Sequence, residues 1–143
     1  MEEHSYKVYI LDLALRNITF DSIVKFLEKK KPILIGITTL TSYYVSMKNL
    51  SNNIKKERPN IPIVLGGFHV SSLPLHSLKD CKADFVVLGE GEDTFLDLTR
   101  VIESGASDFS SIKVIAFLDE NDQLVISESR PLIKSLDLLP MIA

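Results

Sequence analysis

Three short turns hold most of the chemistry this chain can offer. Thr38-Thr39-Leu40-Thr41-Ser42 presents hydroxyls that can donate to a phosphate or an amide, with Leu40 able to pack on a ring. Gly66-Gly67-Phe68-His69 brings side-chain-free backbone to a point where a large flat or phosphate-bearing ligand can approach closely. Gly89-Glu90-Gly91-Glu92 offers exposed amides at a helix start. Glu90 and Glu92 repel an anion there, so a neutral or amide-bearing group suits that corner better. Each turn also has a purely structural reading. Gly66-Gly67 can serve only as a tight strand exit. The hydroxyls at 38–42 can cap the following helix, and Glu92 is the carboxylate that a helix dipole favours. His69 reads as a solvent-exposed rim residue, and His4 and His76 as surface residues.

The elements that must position these turns follow from apolar periodicity. Val8-Tyr-Ile-Leu-Asp-Leu13 reads as a buried strand. Asp21 to Glu28 reads as a helix, with Ile23, Phe26 and Leu27 on one face and Asp21 or Ser22 as N-cap. Ile33-Leu-Ile-Gly-Ile37 is apolar enough for a parallel strand covered on both faces. A helix over 43–57 places Met47, Leu50 and Ile54 together. Ile63-Val-Leu65 and Phe85-Val-Val-Leu88 are further strands, with a short helix from Pro74 to Lys79 between them. Glu92 to Glu103 is a helix with Phe95, Leu98, Thr99 and Ile102 inward and Gly105 as its stop. Lys113 to Leu118 and Gln123 to Ser127 flank Asp119-Glu-Asn-Asp122 as a β-hairpin. This alternation is βαβ rhythm, and it predicts a parallel sheet with the three turns on one carboxyl rim.

Composition bounds the function classes. One domain is expected from 143 residues that are 45% hydrophobic and 24% charged. The net charge is -3, with no basic stripe for nucleic acid. Lys29-Lys30-Lys31 and Lys55-Lys56 fall at helix ends, where cations suit the dipole. Cys81 is the only cysteine, so the chain can hold neither an internal disulfide nor a cysteine-ligated iron–sulfur cluster. It reads as a semi-buried structural thiol, and a reducing cytoplasm fits. No apolar run approaches the roughly 20 residues that span a bilayer, and the polar N-terminus lacks a signal-peptide core. Gly-x-Ser-x-Gly, the Walker lysine and Gly-x-Gly-x-x-Gly after the first strand are all missing from the sequence. The residues read as a ligand-binding α/β domain rather than a complete catalyst.

The turns and their flanks resemble the cobalamin-binding domain at the N-terminus of many radical S-adenosylmethionine enzymes, the anaerobic magnesium-protoporphyrin monomethyl ester cyclase type above all. The matching segments are Val8 to Leu13, Ile35-Gly-Ile-Thr38, Val64-Leu-Gly-Gly-Phe-His69 and Asp84-Phe-Val-Val-Leu-Gly-Glu-Gly-Glu-Asp-Thr-Phe95. The tail from Ile112 through Arg130-Pro-Leu132 to Leu138-Leu-Pro140 is similar to the family's hairpin and linker. The resemblance implies a flavodoxin-like (Rossmann-like) three-layer α/β domain over 1–130, with a mostly parallel sheet and a C-terminal β-hairpin. It implies a linker at 131–143 toward a radical domain that this chain lacks.

Cobalamin is then expected on the carboxyl rim. Thr38-Thr39-Leu40 matches the family's Ser/Thr-x-Leu turn, Gly66-Gly67 its glycine exit, and Gly89 to Gly91 a third wall. Ser42, Phe68, His69 and Glu90 complete the candidate set. Two departures go with the resemblance. The family's first strand and helix are missing ahead of Val8, which would leave the Val8 strand without its neighbour. The Asp-x-His-x-x-Gly motif is also missing, so a cobalt without protein imidazole is expected. The iron–sulfur cluster and S-adenosylmethionine would belong only to the radical domain.

The expected partners are a corrinoid and that radical domain, in methyl transfer or oxidative cyclisation, with neither nucleic acid nor membrane. A degenerate scaffold of the same fold, docking or forming a homodimer through an unpaired strand edge, is the alternative. A flavin-binding enzyme of the same shape rests on fold analogy alone.

Overall fold

The structure, a computed structural model, describes residues 6–13, 18–38 and 40–129. The chain alternates helix and strand as its periodicity requires: α1 Phe20–Lys30, β1 Ile35–Thr38, α2 Tyr44–Glu57, β2 Ile63–Gly66, α3 Phe68–Ser72, α4 Pro74–Cys81, β3 Phe85–Val87 and α5 Glu92–Glu103, then a hairpin of β4 Ile115–Leu118 and β5 Leu124–Ile126. A single 3-10 turn, Thr41–Tyr43, leads into α2.

The five strands form one sheet in the order β1-β2-β3-β4-β5. β1, β2 and β3 are parallel, with Thr38 opposite Gly66, and β4 and β5 are antiparallel additions. This is the flavodoxin-like, mostly parallel three-layer arrangement with a C-terminal hairpin. The strands are short and β-branched, and β2 and β3 are buried on both faces, as parallel strands under helices must be. Ile23, Leu27, Met47, Ile54, Val70 and Leu78 pack against one face of the sheet with Leu65 and Val86. Leu98 and Phe95 of α5 cover the other with Val64, Phe85, Val87, Ile112 and Ile115.

Several local expectations change. Val8 to Leu13 is not a strand: it has no ladder partner, and Ile10 is 88% exposed. Its apolar content would suit a strand only beside a neighbour, and among the described residues none lies there. Tyr9 instead packs edge-on against Phe26 with Lys30 over its ring, and the Tyr6 hydroxyl donates to Glu103. β1 is not covered on both faces. It is the sheet's edge, with Ile35 and Ile37 half-buried while Gly36 and Thr38 are exposed. The α1 N-cap is Thr19 rather than Asp21 or Ser22, because the Thr19 side chain accepts from the Ser22 amide. The connector expected over Arg130 to Pro140 lies outside the described residues.

Helix ends carry some strain. Lys31 and Lys82 close α1 and α4 in the left-handed region at φ 47° and φ 50°, where glycine is the usual residue. Lys82 is exposed, and its backbone N–H closes the helix onto the Leu78 carbonyl. Lys82→Gly is therefore expected to raise the unfolding free energy by about 0.5–1 kcal/mol, read as a higher urea midpoint at constant m-value.

Candidate functional site

Parallel strands all end on the same side, so the segments after β1, β2 and β3 gather at one rim in the order in which the strands lie. Thr38 ends β1, exposed, directly opposite Gly66. The placement of Thr39 lies outside the described residues. Leu40 is 70% exposed beside Ser42 in the turn that opens α2. Gly67 adopts φ 113° and ψ 165°, a region closed to residues with a Cβ, and this lets the chain turn from β2 straight into α3. Phe68 follows and is 86% exposed. Gly89 has φ 78°, Glu90 is exposed, and Gly91 sits at the N-terminus of α5.

The glycine exits differ in what surrounds them. A Cβ on Gly66 would meet nothing within 4 Å, and one on Gly89 likewise. A Cβ on Gly36 would lie 3.0 Å from the Phe95 ring. The face of the sheet toward α5 is therefore bare at Gly66, and Phe95 closes it over Gly36. Gly66 lies between Thr38 of β1 on one side and β3, which leads to the Gly89 turn, on the other.

Behind the rim, side chains tie the turns together. Ser71 of α3 donates to the Val87 carbonyl at 3.1 Å and accepts from the Gly89 amide at 3.4 Å, linking the second turn to the third. Leu88 donates its amide to the Val114 carbonyl, and the Thr94 hydroxyl donates to the Lys113 carbonyl at 3.2 Å, so the third turn is anchored to the start of β4. The first turn is tied to the second through Tyr44, whose ring lies 4.3 Å from the His69 ring and 6.0 Å from that of His76. His69 is thus a half-buried stacking partner rather than the exposed rim residue expected, because the turn of α3 directs it onto Tyr44.

The Tyr44 hydroxyl donates to Asp80 at 3.0 Å, and Lys48 pairs with the same carboxylate at 2.6 Å. Burial, then Cys81 and Asp80, push the Tyr44 phenol well above its ordinary value, so it stays a donor at any working pH. Cys81 is fully buried rather than semi-buried, and burial pushes its thiol up, which makes it inert packing. The Lys48 ammonium, joined by the Tyr44 hydroxyl, holds the Asp80 carboxyl below its ordinary value of 3.8. A depressed carboxylate contributes stability above its unfolded pKa and loses it as pH falls through the folded one. Asp80→Asn should thus cost about 1 kcal/mol at pH 7. Its urea midpoint should converge with the parent's as the pH falls below the ordinary carboxylate value.

Gly36, Tyr44, Ser71 and Phe95 are absent from the sequence-based candidate set. Only Phe95 had a local signal, in the Glu-x-Thr-Phe run after the third turn. The other three become visible only once the strands are placed. Among the described residues, no group of three or more His, Cys, Asp or Glu side chains is arranged to hold a metal ion, and no helix is long and apolar enough to cross a membrane.

The family model for the B12 binding domain matches residues 1–99. An uncharacterized methyltransferase of Pyrococcus horikoshii is 33% identical over 98% of this chain and 30% of its own length. The anaerobic magnesium-protoporphyrin IX monomethyl ester cyclase of Rubrivivax gelatinosus is 26% identical over 91% of this chain and 24% of its own length. This chain spans less than a third of either relative. Among solved structures, the radical S-adenosylmethionine methyltransferase TsrM of Kitasatospora setae, with cobalamin and a [4Fe-4S] cluster bound, superposes at TM-score 0.73 with 22% identity, covering 94% of this chain and 25% of that one. The cobalamin-dependent radical enzyme OxsB, with aqua-cobalamin and S-adenosylmethionine bound, does so at TM-score 0.70 with 18% identity, covering 81% and 16%. Both likenesses bear on the fold.

Proposed function

We propose that this chain, which belongs to the B12 binding domain family, holds a corrinoid on the rim formed by β1, β2 and β3. The observation that carries this reading is the bare backbone at Gly66, where a Cβ would meet nothing within 4 Å, opposite Thr38 in the sheet. Thr38, Leu40 and Ser42 would line one side of the ligand, Gly66, Gly67 and Phe68 the floor, and Gly89 to Gly91 the far wall, with Thr39 a further candidate. His69 would brace the floor from behind through Tyr44.

When bound, the corrinoid supplies a cobalt centre for methyl transfer or redox chemistry. The chain's own residues bind it, orient it and shield one face. The rings of His69 and His76 both lie against Tyr44.

The corrinoid module reading extends to a longer enzyme. The relatives named above include a methyltransferase and a cyclase, which favours a role in methyl transfer or oxidative cyclisation beside a radical S-adenosylmethionine domain. Residues 1–130 would form the corrinoid module and 131–143 the link to that domain, where the cluster and S-adenosylmethionine would reside. β5 runs parallel to β3, so Ser127 and Glu128 leave the sheet at the corrinoid rim, which suits a following domain that covers it. The cytoplasm is the proposed location.

Titration of the purified chain with hydroxocobalamin tests the reading. Saturable one-to-one binding with a changed visible spectrum is the expected result. An isotherm indistinguishable from buffer would overturn it.

A second reading, a docking or dimerisation scaffold, draws on the position of β1 at the edge of the sheet among the described residues and on the exposed side chains of Val8, Ile10 and Leu11. An exposed strand edge invites pairing with a second copy. It expects a sedimentation coefficient that rises with concentration, and a strict monomer counts against it.

A further inference from the structure

The sheet edge opposite the corrinoid rim carries a second, independent feature. β3 begins there at Phe85 and the antiparallel β4 ends there at Leu118. Between the segment after α5 and the hairpin turn lies a cleft of about 460 Å3. Its floor is three aromatic rings: Phe85 lies 4.7 Å from Phe109 and 6.2 Å from Phe117, and Phe109 lies 6.1 Å from Phe117. Phe109 and Phe117 are only half-buried, so ring surface remains open to the cleft.

The walls are acidic. Asp84, Asp119 and Glu120 line the opening. Asp84 is already neutralised by Lys55 at 2.7 Å and accepts from the Ile63 amide. Asp119 uses Oδ1 to accept from the Asn121 and Gln123 amides, which fixes the turn and leaves Oδ2 for another donor. Among the described residues, neither Asp119 nor Glu120 has an ion-pair partner, whereas Asp122 close by pairs with Lys79.

A floor of half-buried aromatic rings with two carboxylates in the lining, neither of them in an ion pair among the described residues, selects a particular ligand chemistry. A hard metal ion wants an all-oxygen shell, and the rings cannot supply one. A compact ammonium is strongly hydrated and gains less from a half-buried ring. A guanidinium is planar and weakly hydrated, stacks on aromatic faces and donates in its plane to carboxylates. The geometry points to this cleft as a binding site for a guanidinium group, stacked on the open ring surface of Phe109 or Phe117, which stand 63° apart, and donating to Asp119 and Glu120. Its position leaves the corrinoid rim free, and it does not depend on corrinoid binding.

The test is an amide-shift titration of the 143-residue chain at physiological salt. The probes are ethylguanidinium, ethylammonium and an end-blocked Gly-Arg-Gly peptide. Ethylguanidinium is expected to give saturable shifts confined to 83–85, 107–109 and 117–120. Its dissociation constant should be on the order of millimolar, and ethylammonium should bind several-fold more weakly. The surface pair Asp119→Asn with Glu120→Gln keeps the turn acceptor and should weaken binding at least about fivefold. Phe109→Leu should do the same if it folds. Tighter binding of the peptide than of ethylguanidinium assigns the site to an arginine side chain of a protein partner. Equal or weaker peptide binding assigns it to a small guanidinium compound. Shifts spread over the whole acidic surface, equal shifts with ethylammonium, or no shift at all would overturn the proposal.

Discussion

Gly66→Val is expected to lower hydroxocobalamin affinity by at least about 100-fold, close to 3 kcal/mol, while leaving the fold intact. The separation of the two effects follows from the surroundings of this residue. Gly66 ends β2 in ordinary strand geometry, and a Cβ there touches nothing within 4 Å. Valine suits a strand, so folding stability should stay within about 0.5 kcal/mol of the parent. Its two methyl groups would fill the space over which the corrinoid edge must lie. The neighbouring glycines are poorer probes. Gly67 sits at φ 113°, so a side chain there strains the turn itself by about 1–3 kcal/mol. A side chain at Gly36 would collide with Phe95 and disturb α5. Unchanged affinity in Gly66→Val, with thermal stability equal to the parent, would remove this turn from the corrinoid site.

The same residue shows what the sequence made legible. Glycine after an apolar run marks a place where strand pattern stops and backbone is bare, and such marks are local. Gly66-Gly67, Gly89 and Gly91 could therefore be placed at strand exits without any knowledge of the sheet. The α5 helix was equally readable, since Phe95, Leu98, Thr99 and Ile102 repeat at helical spacing and an acidic first turn precedes them. The hairpin turn announced itself through Asp119, whose carboxylate folds back onto two amides.

The features that local sequence does not carry depend on partners distant in the chain. Val8 to Leu13 has strand composition, but a strand exists only when a neighbour completes its ladder, and none is present among the described residues. β1 reads as doubly covered for the same reason: apolar side chains report a wish for burial, not its supply. The five-residue helix α3 is too short to show periodicity, so the turn that swings His69 onto Tyr44 and Ser71 onto Gly89 was invisible. The role of Gly36 is not local to its strand, because Phe95, which needs its missing side chain, comes from α5, far along the chain.

Leu98→Ala is expected to destabilise the fold by about 2–5 kcal/mol, the largest stability effect among these changes. Leu98 is fully buried at the centre of α5 and packs with Val64, Phe85, Val87, Ile112 and Ile115. Among the described residues, α5 is the only helix on that face of the sheet, so nothing else can move in to fill the cavity. The thermal midpoint should fall by on the order of 10 °C. The consequence for the site differs in kind from that of Gly66→Val. Leu98 is buried beneath the rim, and a folded Leu98→Ala molecule keeps the bare backbone at Gly66. A ligand that binds only the native state stabilises it by about 2.7 kcal/mol at 100 times its dissociation constant, whatever the starting stability. Hydroxocobalamin should thus restore Leu98→Ala by the same increment in free energy that it gives the parent, and should give Gly66→Val almost none. If the increment vanished in Leu98→Ala too, the rim would be held in shape by the packing of α5, and the corrinoid floor would have to include that helix.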